Sequence, residues 1–139
     1  MIGQTSNPSI VIVDDEVDHA LIVRLVLHKV VPDATVTIMT DPRALAQRLV
    51  ETPLSSVVLL DRNLDGRDGI ELLPLLAAER SDLRVVLLSA ALTEPDRLRA
   101  LAAGAYDAAE KPSSVAEWRS FVTALLDTAV APAARSQVA

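Results

Sequence analysis

The sequence predicts an α/β domain in which five parallel strands form a doubly wound sheet with helices on both faces. Short apolar runs alternate with segments that carry helix signals, and most runs are continuously apolar, which is typical of strands buried on both sides. The chain has 139 residues, whereas a barrel of eight strand–helix units needs roughly 250 residues. We therefore expect an open sheet in the order 2-1-3-4-5 within one domain, residues 10–128, between flexible tails at residues 1–9 and 129–139.

The strands are predicted where the apolar runs lie, since each run is short enough for a strand. The fifth run has the weakest apolar pattern. In sheets of this kind the ligand site lies at the carboxyl ends of the strands, where the strand order reverses. Polar residues directly after each run are therefore candidates for a functional site. The predicted strands cover residues 10–13, 36–39, 57–60, 85–88 and 106–109.

The predicted helices begin or end at local signals. Asp41 followed by Pro42 is typical of an N-cap and a first helical residue. Thr93 and Ser114 each stand three residues before an acidic residue, as in a capping box. Gly104 is typical of a residue that ends a helix. The predicted helices cover residues 17–30, 42–50, 70–79, 94–103 and 114–128.

Composition and charge exclude several classes of protein. Hydrophobic residues make up 50% of the chain, enough for a core, but aromatic residues only 2%, so there is no stacking platform for single-stranded nucleic acid. The formal charge of −6 opposes binding to a phosphate backbone, and the lack of cysteine excludes a thiolate metal site. No apolar run approaches the ~18 residues of a membrane span. We expect a cytoplasmic protein with no direct nucleic-acid partner and no membrane insertion.

Carboxylates follow the first and third apolar runs. Asp14 and Asp15 come after the first run and Asp61 after the third, and in the order 2-1-3-4-5 these strands are neighbours, so we expect the three side chains in one pocket. Close carboxylates repel by about 4 kcal/mol per pair at about 4 Å and an effective dielectric of about 20. An all-oxygen site favours Mg²⁺, or Mn²⁺, as the compensating ion. Lys111, just past the fifth run, supplies a second positive charge.

A carboxylate beside a metal ion and a lysine can act as a nucleophile on phosphorus and form an acyl phosphate. Ser89 is placed to hydrogen-bond a phosphoryl oxygen, and the small residues Gly66 and Ala90 leave room for the group. No glycine-rich phosphate loop follows the first strand, which argues against a nucleotide, flavin or dinucleotide site. A phosphatase of the haloacid dehalogenase type would need an aspartate where Asn63 stands.

Four stretches hold these polar residues at the ends of their strands. They are IVIVDDE at 10–16, VVLLDRNLDGRDG at 57–69, VVLLSA at 85–90 and GAYDAAEKP at 104–112. In order, spacing and strand position they resemble the receiver domain of bacterial two-component response regulators, over about residues 9–127. The resemblance implies a flavodoxin-like fold and a phosphorelay function.

The resemblance also implies a role for each polar residue of the expected pocket. Asp61 is then the phospho-accepting aspartate, and Ser89 and Lys111 hold the phosphoryl group. The family uses Mg²⁺ at this place, bound directly or through water. The implied ligands are Asp14, Asp15, Asp61 and the backbone carbonyl of Asn63.

The sequence departs from the family pattern at two positions. The family usually has proline where Asp65 stands, and it often places Tyr or Phe, as a ring that reorients on phosphorylation, where Ala108 stands. Tyr106, two residues earlier, is expected on the same side of a regular strand. With no aromatic switch, we expect the loop 90–94 and the helix after it to carry the response. The bond before Pro112 stands where the family commonly has a cis peptide.

The remaining candidates have simpler interpretations. His19 and His28 are expected at exposed or half-buried positions of the first helix, and His19 is close enough in sequence to Asp15 to influence the mouth of the site. Arg62, beside the expected nucleophile, is either a residue of the pocket rim or a solvated side chain. Trp118 and Phe121 are expected in the core or on a face that contacts a partner, and by analogy they suggest a homodimer through the last helices.

Three functions follow from these observations. The first is a stand-alone receiver that takes a phosphoryl group from a histidine kinase or a phosphotransfer protein, catalyses part of its own modification and signals to a downstream protein. It is not a conventional metabolic enzyme. The second is a pseudo-receiver that binds its partner regardless of phosphorylation, as the absent aromatic residue suggests. The third is a phosphate shuttle, which shares the chemistry of the first and differs only in its partners.

Overall fold

The computed structural model describes residues 7–129, and most of both predicted tails lies outside the described residues. Five strands form one parallel sheet in the order β2-β1-β3-β4-β5, as predicted. The first strand begins one residue before its predicted start, because Ser9 pairs with Thr35 of the second. The strands are β1 Ser9–Val13, β2 Thr35–Met39, β3 Val57–Asp61, β4 Arg84–Ser89 and β5 Asp107–Glu110.

A helix follows each strand of this sheet, which confirms the α/β class, and Asn63–Leu64 and Arg67–Asp68 form a separate short antiparallel pair. Two helices are shorter than predicted, because their first turns are 3₁₀ turns at Pro42–Ala44 and Gly69–Leu72. None of the helices within residues 7–129 has the length and apolar character that a membrane span requires. The helices are α1 Val17–Val30, α2 Leu45–Leu49, α3 Leu73–Glu79, α4 Glu94–Ala102 and α5 Val115–Ala129.

The predicted N-cap side chains accept their hydrogen bonds, but the acidic residue of each predicted capping box bonds elsewhere. The Asp41 carboxylate accepts a hydrogen bond from Arg43 N at 2.9 Å, and the Thr93 hydroxyl accepts one from Asp96 N at 3.2 Å. At α5, Glu117 N donates to Ser114 Oγ at 3.1 Å, but the Glu117 carboxylate accepts from Ser113 N rather than from Ser114 N. The reciprocal half of this capping box is therefore displaced by one residue.

The core covers both faces of the sheet. Val11, Val13 and Leu60 pack on one side with residues of α2, α3 and α4, whereas Ile10 and Ile12 pack on the other with residues of α1 and α5. Neighbouring residues of one strand thus enter different cores, which explains the continuous apolar runs. On the α1 and α5 side, Trp118 is buried and contacts Phe121 edge to face, with ring centroids 5.8 Å apart. Trp118 is therefore a core residue.

Candidate functional site

The carboxyl ends of β1, β3, β4 and β5 hold the polar side chains of the site at one edge of the sheet. The backbone ladder continues past the strand ends: Asp14 N donates to Met39 O at 3.1 Å, and Lys111 N donates to Ser89 O at 2.9 Å. Arg62 N likewise donates to Leu88 O at 2.8 Å. These bonds fix the backbone of the residues that carry the site, so their side chains start from rigid positions.

Asp61 ends β3 and is the centre of the site. Its side chain is only 6% exposed. One carboxylate oxygen, Oδ2, accepts a hydrogen bond from Lys111 Nζ at 3.1 Å, and the other, Oδ1, accepts one from Asn63 N at 3.1 Å. Burial raises the pKa of Asp61 above its ordinary value, and the Asn63 N–H and the Lys111 ammonium oppose that rise. The carboxylate is thus held in place by two donors and poorly solvated.

Asp14 lies beside Asp61 and is almost fully buried. Its Oδ1 accepts a hydrogen bond from Glu16 N at 2.9 Å, and its Oδ2 is bonded to His19 Nδ1. Ligand atoms of Asp14, His19 and Asp61 all lie within 4.8 Å of one another. From the sequence, His19 was expected at most to influence the mouth of the site, and its bond to Asp14 was not predicted. The available signal was its place in the first turn of the helix that follows Asp14, which directs its side chain toward the strand end.

Asp15 does not belong to that group of three. Its carboxylate accepts a hydrogen bond from Asp65 N at 2.8 Å, in the loop after β3. It lines a neighbouring pocket together with Asp41, Arg43 and Asp65. The expected convergence of three aspartates in one pocket is therefore seen for Asp14 and Asp61, while Asp15 fixes the loop beside them.

Ser89 and Lys111 line one open pocket together with Asp61, Asn63 and Ala90. The Ser89 hydroxyl donates to Ala91 O at 2.8 Å, at the start of the loop between β4 and α4. None of the described peptide bonds is cis, so the bond after Lys111 is trans, unlike the family's common form. The lysine nonetheless reaches Asp61, because β5 brings its backbone to the same edge of the sheet.

Arg62 follows Asp61 and is bonded to two carboxylates. Its Nη1 donates to Asp96 of α4 at 2.8 Å, and its Nε and Nη2 donate to Asp68 at 3.3 and 3.2 Å. The Arg62 side chain is 22% exposed, and Arg62 lines the pocket of Asp61. The interpretation as a pocket-rim residue is confirmed, but the bond to Asp96, 34 residues away in the sequence, had no local signal.

Comparison with known proteins identifies the family. Residues 10–123 match the family model of the response regulator receiver domain, which is most of the chain. The chain belongs to this family. The regulatory protein VirG of Agrobacterium tumefaciens (strain 15955) is 34% identical to the receiver over 112 residues, which are 78% of this chain and 40% of VirG.

Two further likenesses agree with this assignment. The cyclic di-GMP phosphodiesterase response regulator RpfG of Xanthomonas campestris pv. campestris (strain 8004) is 33% identical over 121 residues, covering 85% of this chain and 32% of RpfG. The CheY-like receiver domain protein of Methanospirillum hungatei JF-1 has the same fold, with a TM-score of 0.75 and 20% identity, over 89% of this chain and 97% of that one. The receiver thus spans 40% or less of the length of these two curated relatives.

The loop after β3 explains why this receiver has Asp65 where the family usually has proline. The φ angle of Asp65 is +51°, in the left-handed region, whereas proline is fixed near −65°. Aspartate tolerates the left-handed region better than most residues. Gly69 closes the same loop, and a Cβ there would lie 2.6 Å from Asp61 O. The loop is therefore packed directly against the backbone of Asp61.

The aromatic position of the family is filled by Ala108 in this receiver. Ala108 is buried in β5 on the side of α2, α3 and α4. Tyr106 packs against the opposite cluster, on the side of α1 and α5. The expectation that Tyr106 shares a side with Ala108 is wrong, because Tyr106 precedes the first residue of β5, Asp107, where strand alternation does not apply.

Proposed function

We propose that this receiver accepts a phosphoryl group on Asp61 from a phosphohistidine of a sensor histidine kinase or a phosphotransfer protein. The observation that carries the proposal is the Asp61 carboxylate, which is buried, held by Lys111 and Asn63 N, and faces an open pocket. Receiver domains interact with such histidine proteins and with downstream targets, and the chain belongs to that family.

The transfer needs one new bond and breaks one. A carboxylate oxygen of Asp61 attacks phosphorus, a P–O bond forms as the P–N bond of phosphohistidine breaks, and the electron pair of that bond stays on the imidazole nitrogen. The Asn63 N–H holds one carboxylate oxygen, which fixes the direction of attack. Lys111, which contacts Oδ2 before the reaction, is near enough to bind a phosphoryl oxygen afterwards.

Ser89 can bind the phosphoryl group once its hydroxyl leaves Ala91 O. Its hydroxyl donates to Ala91 O and lines the pocket of Asp61, so rotation toward the pocket lets it donate to a phosphoryl oxygen instead. The phosphoryl group adds nearly two negative charges and three strong acceptors. Each charge-assisted hydrogen bond contributes about 1.5–3 kcal/mol. Two such bonds, from Ser89 and Lys111, therefore supply about 3–6 kcal/mol, against the 5.5 kcal/mol or so that inverts a 1:99 equilibrium.

The acidic residues fit a hard divalent cation. Asp14 and Asp61 present carboxylate oxygens within 4.8 Å of each other, and Lys111 alone does not balance two carboxylates. We assign Mg²⁺, or Mn²⁺, to these two residues, with the Asn63 carbonyl and Asp15 as direct or water-mediated partners. When bound, the ion neutralises charge on the phosphoryl oxygens.

Incubation with Mg²⁺ and a small phosphodonor such as acetyl phosphate tests the proposal. We expect intact-mass measurement to show the addition of one phosphoryl group, which Asp61→Asn abolishes. Asp33→Asn, an exposed residue before β2, is the matched control and is modified like the wild type. No modification of the wild type, either by the small donor or by a phosphorylated histidine kinase, contradicts the proposal.

The second candidate function is a pseudo-receiver, which binds its partner without regard to phosphorylation. The buried Ala108 at the family's aromatic position favours it, because no ring can reorient there. Equal affinity of one partner for the wild type treated with a phosphodonor and for Asp61→Asn treated in the same way supports this function. The downstream target, the cytoplasmic location and the homodimer stay predictions, and light scattering of the full chain would test the last of these.

A further inference from the structure

Arg62 connects the phosphorylation pocket to the start of α4. Its backbone is fixed by the bond from Arg62 N to Leu88 O, next to Asp61, and its side chain lines the same pocket as Ser89 and Lys111. The guanidinium divides its donors between Asp68, in the loop after β3, and Asp96, in the first turn of α4. One side chain thus ties the loop, the pocket and the helix together.

The bond to Asp96 can be given up without leaving that carboxylate unpaired. Asp96 Oδ1 accepts a hydrogen bond from Arg99 Nη1 at 2.9 Å, while Oδ2 accepts from Arg62. The Arg62 guanidinium holds the pKa of Asp96 below its usual value, with help from Thr93 and Arg99. Asp96 is also partly exposed, so water can replace the lost donor. Release of Arg62 would therefore leave the Asp96 carboxylate with Arg99 and water as its donors.

A phosphoryl group on Asp61 offers Arg62 a stronger partner. The group is close to a dianion with three acceptor oxygens, and the planar guanidinium matches such oxygens in a bidentate manner. It appears in the pocket that Arg62 already lines, one residue away in the chain. The family often responds to phosphorylation by reorienting an aromatic ring at the position of Ala108. Because Ala108 has no ring, a change in the ion pairs of Arg62, next to Asp61, does not compete with such a movement.

We propose that Arg62 changes partner on phosphorylation: its guanidinium leaves Asp96 for the phosphoryl group on Asp61, which frees the first turn of α4. This inference rests on the proposed function, because it needs a phosphoryl group at Asp61. The signal that a downstream protein recognises is then the released start of α4, residues 93–99, rather than a rotated aromatic ring.

The experiment uses ¹⁵N NMR of the full chain with Mg²⁺ and beryllium fluoride, a phosphoryl analogue. In the wild type we expect shifts of the Asp61 and Ser89 amides, of the Arg62 side-chain Nε–H signal, and of the amides of residues 93–99. Asp96→Ala removes the acceptor on α4. In this variant the amides of residues 93–99 start from shifted positions, and most of their analogue-induced change is lost.

Glu94→Ala is the matched control. Glu94 is a carboxylate in the same turn of α4, but it pairs with Arg97 at 3.8 Å and does not contact Arg62. We expect this variant to keep the full analogue-induced change at residues 93–99. Equal loss in Glu94→Ala and Asp96→Ala overturns the inference, since it reports general damage to the helix.

The failure of the inference differs from the failure of the proposed function. If Asp61 and Ser89 shift with the analogue but the Arg62 Nε–H signal and residues 93–99 do not, the partner exchange is wrong and the phospho-acceptor role stands. If no amide of the pocket shifts, both are wrong.

Discussion

Burial and two hydrogen-bond donors shift the pKa of Asp61 in opposite directions. Burial raises its pKa, whereas Asn63 N–H and Lys111 lower it, and neighbouring Asp14 raises it again. A poorly solvated carboxylate that stays ionised is a better nucleophile than one fully hydrated in water. The reactivity that we propose for this residue would therefore depend on its neighbours.

Removal of the Lys111 ammonium tests that dependence. In Lys111→Met we expect phosphorylation by a small donor to slow by about 10²-fold, the usual effect of losing one preorganised donor at a developing charge. The pKa of Asp61 also rises further, because a group that lowers it is gone. Stopped-flow or quenched-flow assays of the phosphorylated fraction measure the rate.

Lys29→Met provides the control for this change. Lys29 is exposed near the last residue of α1, at the end opposite the site, and its loss removes the same charge from the chain. We expect a rate equal to that of the wild type. If both variants slowed alike, net charge rather than contact with Asp61 would be the cause.

Asp65 has a left-handed φ angle that proline, the usual residue of the family at this position, cannot adopt. Asp65→Pro forces φ from +51° to about −65° and removes the N–H that Asp15 accepts. We expect a loss of about 3 kcal/mol in the free energy of unfolding, from the misfit and the lost charge-assisted bond. Urea denaturation measures it. Asp65→Asn, which keeps the N–H and tolerates the left-handed region, should cost less than about 1 kcal/mol.

At the residue scale, the sequence predicted the identities of the site better than its contacts. Asp14, Asp61 and Lys111 were placed together correctly, because the carboxyl ends of adjacent parallel strands must meet. The bond of His19 to Asp14 and the bonds of Arg62 to Asp68 and Asp96 were not predicted. These bonds depend on rotamers and on packing between distant segments, for which a single sequence carries no periodic signal.

Among the elements, the segment between α2 and β3 is held by one ion pair rather than by regular structure. Arg80 donates to the Leu49 and Thr52 carbonyls, and Asp82 holds Arg80 through two bonds of 2.8 Å. Asp82 also accepts a bond from Ser55 N, whose residue has a φ of +61°. This pair fixes the loop that leads into the central strand.

The charge of Asp82 therefore stabilises the fold in a pH-dependent manner. Arg80 holds the pKa of Asp82 well below its ordinary value of 3.8, so the contribution is complete above that value and is lost as the pH falls through 3.8 toward the lowered pKa. We expect Asp82→Asn to cost about 1–2 kcal/mol at about pH 7, because the pair is partly exposed. At about pH 3 the difference from the wild type shrinks.

Urea denaturation of both proteins at the two pH values measures this effect. Asp33→Asn, at an exposed position, shows no such pH-dependent difference. A cost for Asp82→Asn that is the same at both pH values would show that the shape of the side chain, and not its charge, holds the loop.

Element boundaries were predicted well where a cap side chain defines them. Thr93 and Gly104 bracket α4 as expected, with Gly104 at a φ of +115°. The helices α2 and α3 were predicted too long, because their first turns close as 3₁₀ turns after Asp41 and Asp68. A cap signal fixes where the chain turns, but not whether the first turn has i+3 or i+4 bonds.

For the whole molecule, the fold followed from the pattern because continuous apolar strands require cover on both faces. The two separate cores of Val11 and Ile12 are the direct result. The parallel order also forces the chain to return over one face or the other, which brings every strand end to one edge. The sequence could not indicate that Asp15 would face the loop of Asp65, since both sides of that edge are equally open to a polar side chain.

The metal site that we propose at the same edge would couple Mg²⁺ binding to the stability of the whole chain. Mg²⁺ that binds the folded but not the unfolded state should raise the free energy of unfolding by about 2.7 kcal/mol at 100 times the dissociation constant. Removal with EDTA reverses the gain. Urea denaturation with and without Mg²⁺ measures it, and Asp14→Asn loses most of the increment while exposed Glu51→Gln keeps it. An increment unchanged in Asp14→Asn would place the ion elsewhere.

The lack of a ring at Ala108 affects how the proposed conformational change depends on the salt concentration. Since no ring enters or leaves the interior at this position, the partner exchange proposed for Arg62 would make the two forms differ in their ion pairs rather than in the packing of an aromatic side chain. What distinguishes the forms is then charge, which dissolved salt screens over about 10 Å at 0.1 M. The balance between the two forms should therefore depend on the salt concentration.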